Sequence, residues 1–209
     1  MSKRNKQYEL MELRRSNLDS DPFRQFDIWY EAAISSGIKY PDAFVLSTST
    51  VDGKPSSRVL LYKGRDEAGF KFYTNINSMK GREMMSNQNA SMCFWWYELE
   101  RQLRIRGSVD LLSNEEIDGY FKTRPRGSQL GAWASDQSAV IDNREVLDKK
   151  FEYYEKKYEG TDIPRPEYWL GYILIAKEFE FWQGRNNRLH DRFLYRLENE
   201  KWIIERLAP

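Results

Sequence analysis

AFVLSTSTVDGKPSSRVLLY, residues 43–62, holds two runs rich in β-branched and apolar residues on either side of an Asp52-Gly53 pair. Asp-Gly is a turn dipeptide whose glycine takes positive φ freely, so the stretch reads as a β-hairpin with arms Phe44 to Thr50 and Ser56 to Tyr62. Outward from it, similar runs follow at Phe70 to Thr74, Ser91 to Trp96 and Leu103 to Leu112. Four more come at Trp169 to Ala176, Phe179 to Trp182, Arg192 to Leu197 and Lys201 to Arg206. Sequential strands with short turns, and no long crossover helix between most of them, predict an antiparallel sheet that closes into a small barrel.

Helical signals flank these strands. Asp21-Pro22 opens a helix that ends near Gly37, with Phe23, Phe26, Tyr30, Ala33 and Ile34 on one face. Ser78 to Asn87 reads as a short helix, and Ser113-Asn114-Glu115-Glu116 is a capping box ahead of Ile117, Tyr120 and Phe121. Leu147, Phe151, Tyr154 and Tyr158 recur at helical spacing between Asn143 and Glu159, a stripe expected to belong to the core. The expected class is therefore mainly β with flanking helices (α+β). Residues 1–20 are expected to be a polar, flexible N-terminal segment, and residues 21–209 a single domain.

The charge balance, 33 basic against 32 acidic residues, lacks the broad basic footprint of a nucleic-acid binder, so any anion site must be local. Cys93 is the only cysteine, which excludes an intrachain disulfide, and its apolar neighbours suggest a buried small hydrophobe. No apolar run approaches the length of a membrane span and no signal-like leader is present, so a cytoplasmic protein is expected. One histidine and one cysteine are too few soft ligands for a zinc site, and no metal is expected. Neither G-x-G-x-x-G nor a Walker-type loop occurs, so phosphate would have to meet side chains. No G-x-S-x-G elbow accompanies the lone His190, which argues against a hydrolase triad.

Three clusters remain. Arg58-Val59-Leu60-Leu61-Tyr62-Lys63 has cations at both ends of an apolar centre, as in a buried strand whose ends meet an anion; pairing of both cations with nearby acids is the plain alternative. Tyr120 to Ser128 places hydroxyl and guanidinium donors where a helix ends and a loop begins, a set suited to a phosphate monoester or, alternatively, a solvated basic loop. Phe181 to Arg192 gathers the only histidine, three arginines and a tryptophan, which a polar hairpin turn explains only in part.

In order and spacing these clusters resemble the pyridoxine (pyridoxamine) 5′-phosphate oxidase family from about Asp21 to the C-terminus. The matching segments are R-V-L-L-Y-K at 58–63, F-Y-T-N at 72–75, E-R-Q at 100–102, Y-F-x-x-R-P-R-x-S-Q-x-G-A-W at 120–133, Q-S at 137–138 and F-W-Q-G-x-x-x-R-L-H-D-R-F-L-Y at 181–195. The resemblance implies an FMN-binding split β-barrel working as a homodimer, with two active sites at the subunit interface. It implies an enzyme that oxidises pyridoxine or pyridoxamine 5′-phosphate with dioxygen to pyridoxal 5′-phosphate, releasing hydrogen peroxide. FMN would be held by Arg58, Val59, Leu60, Leu61, Tyr62, Lys63, Tyr73, Thr74, Lys80, Gln102, Gln137, Ser138, Trp182 and Arg192. The substrate phosphate would meet Lys63, Tyr120, Arg124 and Ser128, while Arg188 and His190, with Leu189 between them, would face the pyridine ring as the catalytic pair.

One departure stands out: Ser78-Met79-Lys80 replaces the family's usual S-R-K, which implies weaker FMN binding or compensation by Arg82. Two rival readings follow from the same residues. One is another split-barrel flavin oxidoreductase, and the other is a non-catalytic pyridoxal-phosphate binding protein.

Overall fold

The computed structural model describes Tyr8 and residues 10–209. Among these residues eight strands form one antiparallel sheet: β1 (Ala43–Ser49), β2 (Pro55–Leu61), β3 (Gly69–Asn75), β4 (Asn89–Trp96), β5 (Arg101–Leu111), β6 (Trp169–Gln183), β7 (Asp191–Glu198) and β8 (Lys201–Leu207). They run in the order β2-β1-β4-β5-β6-β7-β8, and β3 joins the first half of β6 from the other side. The sheet curls round a core without closing, which is the split barrel that the family resemblance implies.

The Asp52-Gly53 turn forms as expected. Gly53 takes φ 83°, its N–H donates to Thr50 O, and β1 and β2 pair from Ser49↔Pro55 to Ala43↔Leu61. Inward residues alternate along β1 and β4, placing Phe44, Leu46, Met92, Phe94 and Trp96 in the core. Each such side chain contributes about 1.5–3 kcal/mol by leaving water.

Five helices flank the sheet: α1 (Pro22–Ser35), α2 (Met79–Ser86), α3 (Asn114–Thr123), α4 (Arg126–Ala134) and α5 (Glu145–Lys157). Asp21 caps α1 by accepting from Phe23 N–H, and proline at the first turn costs no helical hydrogen bond. Phe26 packs edge-on to Phe70 at 4.8 Å, and Trp29 edge-on to Phe181 at 5.1 Å, so α1 covers the barrel core. A second, smaller core lies where α3 and α4 meet β6, with Ile117, Phe121, Leu130, Trp169 and Ile173.

Several expectations are corrected. The segments Trp169 to Ala176 and Phe179 to Trp182 are one strand, β6, in which the polar Lys177 and Glu178 mimic a break. Its long path bends at a bulge where Lys177 is left unpaired between Arg106↔Glu178 and Gly107↔Ala176; a Cβ on Gly107 would lie 1.9 Å from Ile175 O. The stretch after Tyr120, expected to be a loop, contains α4, which Gly127 and Gly131 disguise by their poor helix propensity. On α1 the buried face runs through Gln25, Phe26, Trp29 and Ala33, while Ile34 is exposed. Within α5 no residue is fully buried: Leu147, Phe151 and Tyr154 are half-buried, and of the aromatic stripe only Tyr158, just past the helix, belongs to the core. Cys93 lies at intermediate exposure rather than in the core. Finally β2 is an edge strand, not a buried one, with Val59 65% exposed.

Residues 1–7 and 9, part of the segment expected to be flexible, lie outside the described residues. Farther along that segment, Leu13 and Leu18 are buried against the barrel. No helix among the described residues is long and apolar enough to cross a membrane.

Candidate active site

The apolar centre of β2 lines a cavity of about 900 Å³ that also receives Lys63, Tyr73 and Thr74 of β3, Tyr120 and Arg124 from the end of α3, Ser128 of α4, and Gln137. Edge position makes this possible: a central strand would have spent both edges on neighbours. Tyr73 stacks on Tyr120 with centroids 4.1 Å apart and on Trp169 at 5.1 Å, forming an aromatic wall. Arg124 lies over Trp169 at 4.7 Å, and its Nη1 is buried with no hydrogen-bond partner. A guanidinium cannot shed its charge, so an unpaired, desolvated N–H in a cavity is a position prepared for an anion. Lys63 reaches Asp42 at 3.0 Å, and Ser128 is exposed on the first turn of α4.

Beside this cradle lies a second group of cations. Ser78 caps α2 by accepting from Gly81 N–H, and Lys80 stands two residues inside the helix, only 7% exposed. A Cβ on Gly81 would lie 2.2 Å from Ile76 O, so only glycine lets the helix approach this closely. Lys80 Nζ donates to Gln137 Oε1 at 3.0 Å and to Ser78 Oγ at 3.3 Å, and Thr74 Oγ1 donates to the same Gln137 oxygen at 3.1 Å. Burial, then the charge of Arg58, holds the Lys80 pKa below the ordinary lysine value. Arg58 Nη2 lies 3.5 Å from Glu83 Oε2, so the plain alternative, cations paired with nearby acids, is realised at both ends of residues 58–63.

Ser138 adopts a left-handed φ of 73°, and its Oγ accepts from Met79 N–H at 3.2 Å. Met79 is exposed, while Arg82 donates to Asn77 O and lines a neighbouring cavity with Gln137 and Ser138. The Tyr62 side chain is buried against Phe26 and Phe94, so only its backbone is free to face the cavity. Two clustered cations, hydroxyls and an amide form a donor set that fits the phosphate of FMN.

The remaining predicted residues do not line this cavity. Gln102, Trp182 and Arg192 sit side by side across β5, β6 and β7. From Trp169, which lines the cavity, to Trp182 the chain covers about 40 Å of extended strand. His190 lies 4.5 Å from the Trp182 ring, and its Nδ1 accepts from Arg185 N–H at 3.1 Å, leaving Nε2 to carry the proton outward. Burial, then the charge of Arg188, lowers the His190 pKa and favours the neutral ring. Arg188 and Leu189 are exposed, and Asn187 and Arg188 both have left-handed φ, 57° and 61°. Asn199 and Glu200 repeat this pair of left-handed residues in the turn between β7 and β8, so it marks a tight turn in both places. Arg192 donates to Glu180 at 2.8 Å and to Ala208 O at 2.7 Å.

Sequence reasoning missed Tyr8, whose ring packs edge-on to Trp182 at 5.6 Å and to His190 at 5.5 Å; no local pattern signals that contact. It also missed Glu83, whose partners Thr48, Ser56 and Arg58 lie far away in the sequence.

Comparison with known proteins places both halves within one family. Residues 30–158 match the family model described as pyridoxamine 5′-phosphate oxidase, and residues 169–209 match a pyridoxine 5′-phosphate oxidase C-terminal dimerisation region. A pyridoxine/pyridoxamine 5′-phosphate oxidase of Trichormus variabilis is 49% identical over 205 residues, covering 98% of this chain and 96% of the relative. A protein of the same description from Rubrobacter xylanophilus is 48% identical over 204 residues, covering 98% and 94%. Among solved structures, PhzG from Burkholderia lata, in complex with tetrahydrophenazine-1-carboxylic acid, superposes with a TM-score of 0.90 at 30% identity, covering 98% of this chain and all of that one. An FMN-binding protein of Nostoc punctiforme shares the fold, with a TM-score of 0.72 at 18% identity and coverage of 92% and 100%. The dimerisation region contains Trp182, Arg188, His190 and Arg192, the half of the predicted site that lies away from the cavity.

Proposed function

Because the chain belongs to the pyridoxamine 5′-phosphate oxidase family, we propose that it oxidises pyridoxine 5′-phosphate or pyridoxamine 5′-phosphate to pyridoxal 5′-phosphate. The observation that carries this reading is the buried, unpartnered Nη1 of Arg124 in a cavity shared with Lys63, Tyr120 and Ser128, a cradle for a phosphate monoester. FMN, when bound, supplies the two-electron acceptor and returns the electrons to dioxygen, which leaves as hydrogen peroxide.

Arg58, Lys80, Gln137 and Ser138, with Thr74, hold the cofactor phosphate, and residues 59–63 with Tyr73 line its ring. The substrate phosphate rests on Arg124, Lys63, Tyr120 and Ser128. Arg188 and the Nε2–H of His190 orient the pyridine ring so that the carbon bearing the alcohol or amine faces the flavin, with Leu189 beside them. Positioning of this kind is their main contribution to rate.

The protein works as a homodimer. Each site takes its phosphate cradles from one protomer and Gln102, Trp182, Arg188, His190 and Arg192 from the other, which reconciles their separation along β6 with a single reaction centre. Residues 21–209 act as one domain in this arrangement, in the cytoplasm.

The direct test is pyridoxal 5′-phosphate formation in air by protein loaded with FMN, with peroxide followed in parallel. Equal amounts of aldehyde and peroxide are expected. Bound flavin without turnover of either phosphate ester contradicts the reading.

A further inference from the structure

Glu83 is a buried carboxylate on α2 that none of the assignments above uses. Its surroundings form a closed relay. Arg58 Nη1 donates to Thr48 Oγ1 at 2.6 Å, and Arg58 Nη2 donates to Ser56 Oγ. Each hydroxyl in turn donates to the same oxygen, Glu83 Oε2, Ser56 at 2.6 Å and Thr48 at 2.5 Å. The guanidinium reaches that oxygen directly as well, at 3.5 Å.

A hydroxyl has one proton to give. With that proton committed to Glu83, the lone pairs of Thr48 and Ser56 must face Arg58, and both Nη atoms find acceptors in fixed positions. Without the carboxylate each hydroxyl is free to rotate, and the guanidinium beside Lys80 keeps as its fixed acceptor only Leu46 O, a long contact from Nη1 at 3.4 Å. Burial pushes the Glu83 pKa up, but the hydrogen bonds from Ser56 and Thr48 and the nearby Arg58 charge outweigh it and hold the pKa below the usual glutamate value, so the acceptor persists at neutral pH.

We propose that Glu83 is a positioning residue for the cofactor-phosphate cradle: through Thr48 and Ser56 it fixes the Arg58 guanidinium before the phosphate arrives. This rests on the reading of Arg58 as an FMN phosphate ligand. An alternative role, a negative charge that opposes the phosphate, predicts the reverse effect on affinity.

The test is the FMN dissociation constant, read from recovery of free-flavin fluorescence when the full-length holoprotein is diluted. Glu83→Ala is expected to weaken binding about tenfold, the scale of a lost charge-assisted hydrogen bond. Glu83→Gln keeps an acceptor oxygen and is expected to stay within about threefold of the parent. In an Arg58→Ala background, itself weakened, Glu83→Ala is expected to add nothing, an interaction that a merely structural role does not produce. Should Glu83→Ala fail to fold, the combined Thr48→Val, Ser56→Ala variant breaks the same relay and is expected to weaken binding equally. Unchanged or tighter FMN binding in Glu83→Ala or in the relay variant, or additive losses with Arg58→Ala, would overturn the proposal. If Arg58→Ala itself leaves FMN affinity unchanged, the cradle reading fails first and the proposal with it.

Discussion

Lys80 is buried and Arg124 half-buried, held against amides and aromatic faces, whereas Arg188 and Leu189 stand exposed on a turn whose backbone is left-handed at two successive residues. The two regions answer different physical demands. Holding a dianion calls for cations with little competing water, so the cradle lowers the Lys80 pKa and leaves an Arg124 N–H without a partner. Orienting a neutral ring calls for direction rather than charge. In the proposed arrangement the far turn supplies that direction through the Arg185 N–H that fixes the His190 tautomer. In the proposed arrangement one strand, β6, connects two half-sites and cannot itself bring them together.

If this division is right, variants of the two regions should fail in different ways. The largest effect is expected from Arg188→Ala: turnover falls about 100-fold, as misplacing a reactant does, while FMN retention is unchanged. Arg124→Ala is expected to raise KM for the phosphate ester about 10- to 100-fold with kcat within a few-fold, since the lost contact serves ground state and transition state alike. Lys80→Ala is expected to weaken FMN binding about tenfold and to recover much of its turnover at saturating FMN. Equal losses of turnover and cofactor in all three variants would erase the distinction.

The smallest effect concerns the only histidine in the chain. Burial and the Arg188 charge both disfavour the imidazolium, so turnover should fall on the acid side only below the ordinary imidazole value, as Nδ1 gains a proton and loses the Arg185 contact. Arg188→Ala removes one of these causes and should move the His190 titration upward, which NMR can follow on a single resonance. A titration that stays put in that variant would separate His190 from Arg188 electrostatically.

Much of this is legible in the sequence because it is local. The Asp52-Gly53 turn, the Asp21 and Ser113 caps and the β-rich run that becomes β1 each depend on neighbours a few residues away, and each forms as expected. The three clusters are legible as linear motifs for the same reason. What the sequence hides depends on distant partners. The apolar centre of residues 58–63 suggests burial, but pairing leaves β2 at an edge where it lines a cavity. Lys177 and Glu178 suggest a strand break, whereas β6 only bulges at Lys177 and stays paired with β5 on either side of it. Glu83 and Tyr8 gain their meaning only from Arg58 and His190, and no local rule connects those pairs.

The central claim is that each reaction centre joins the cavity of one protomer to the far turn of its partner. Mixing two homodimers, Arg124→Ala and Arg188→Ala, under conditions that exchange subunits tests it directly, with the substrate kept below the raised KM. Random pairing should restore about one quarter of the parent activity, because half of the dimers are mixed and each holds one intact site. If the mixture stays at the average of the two variants after exchange is complete, the site is built within a single chain and the account is wrong.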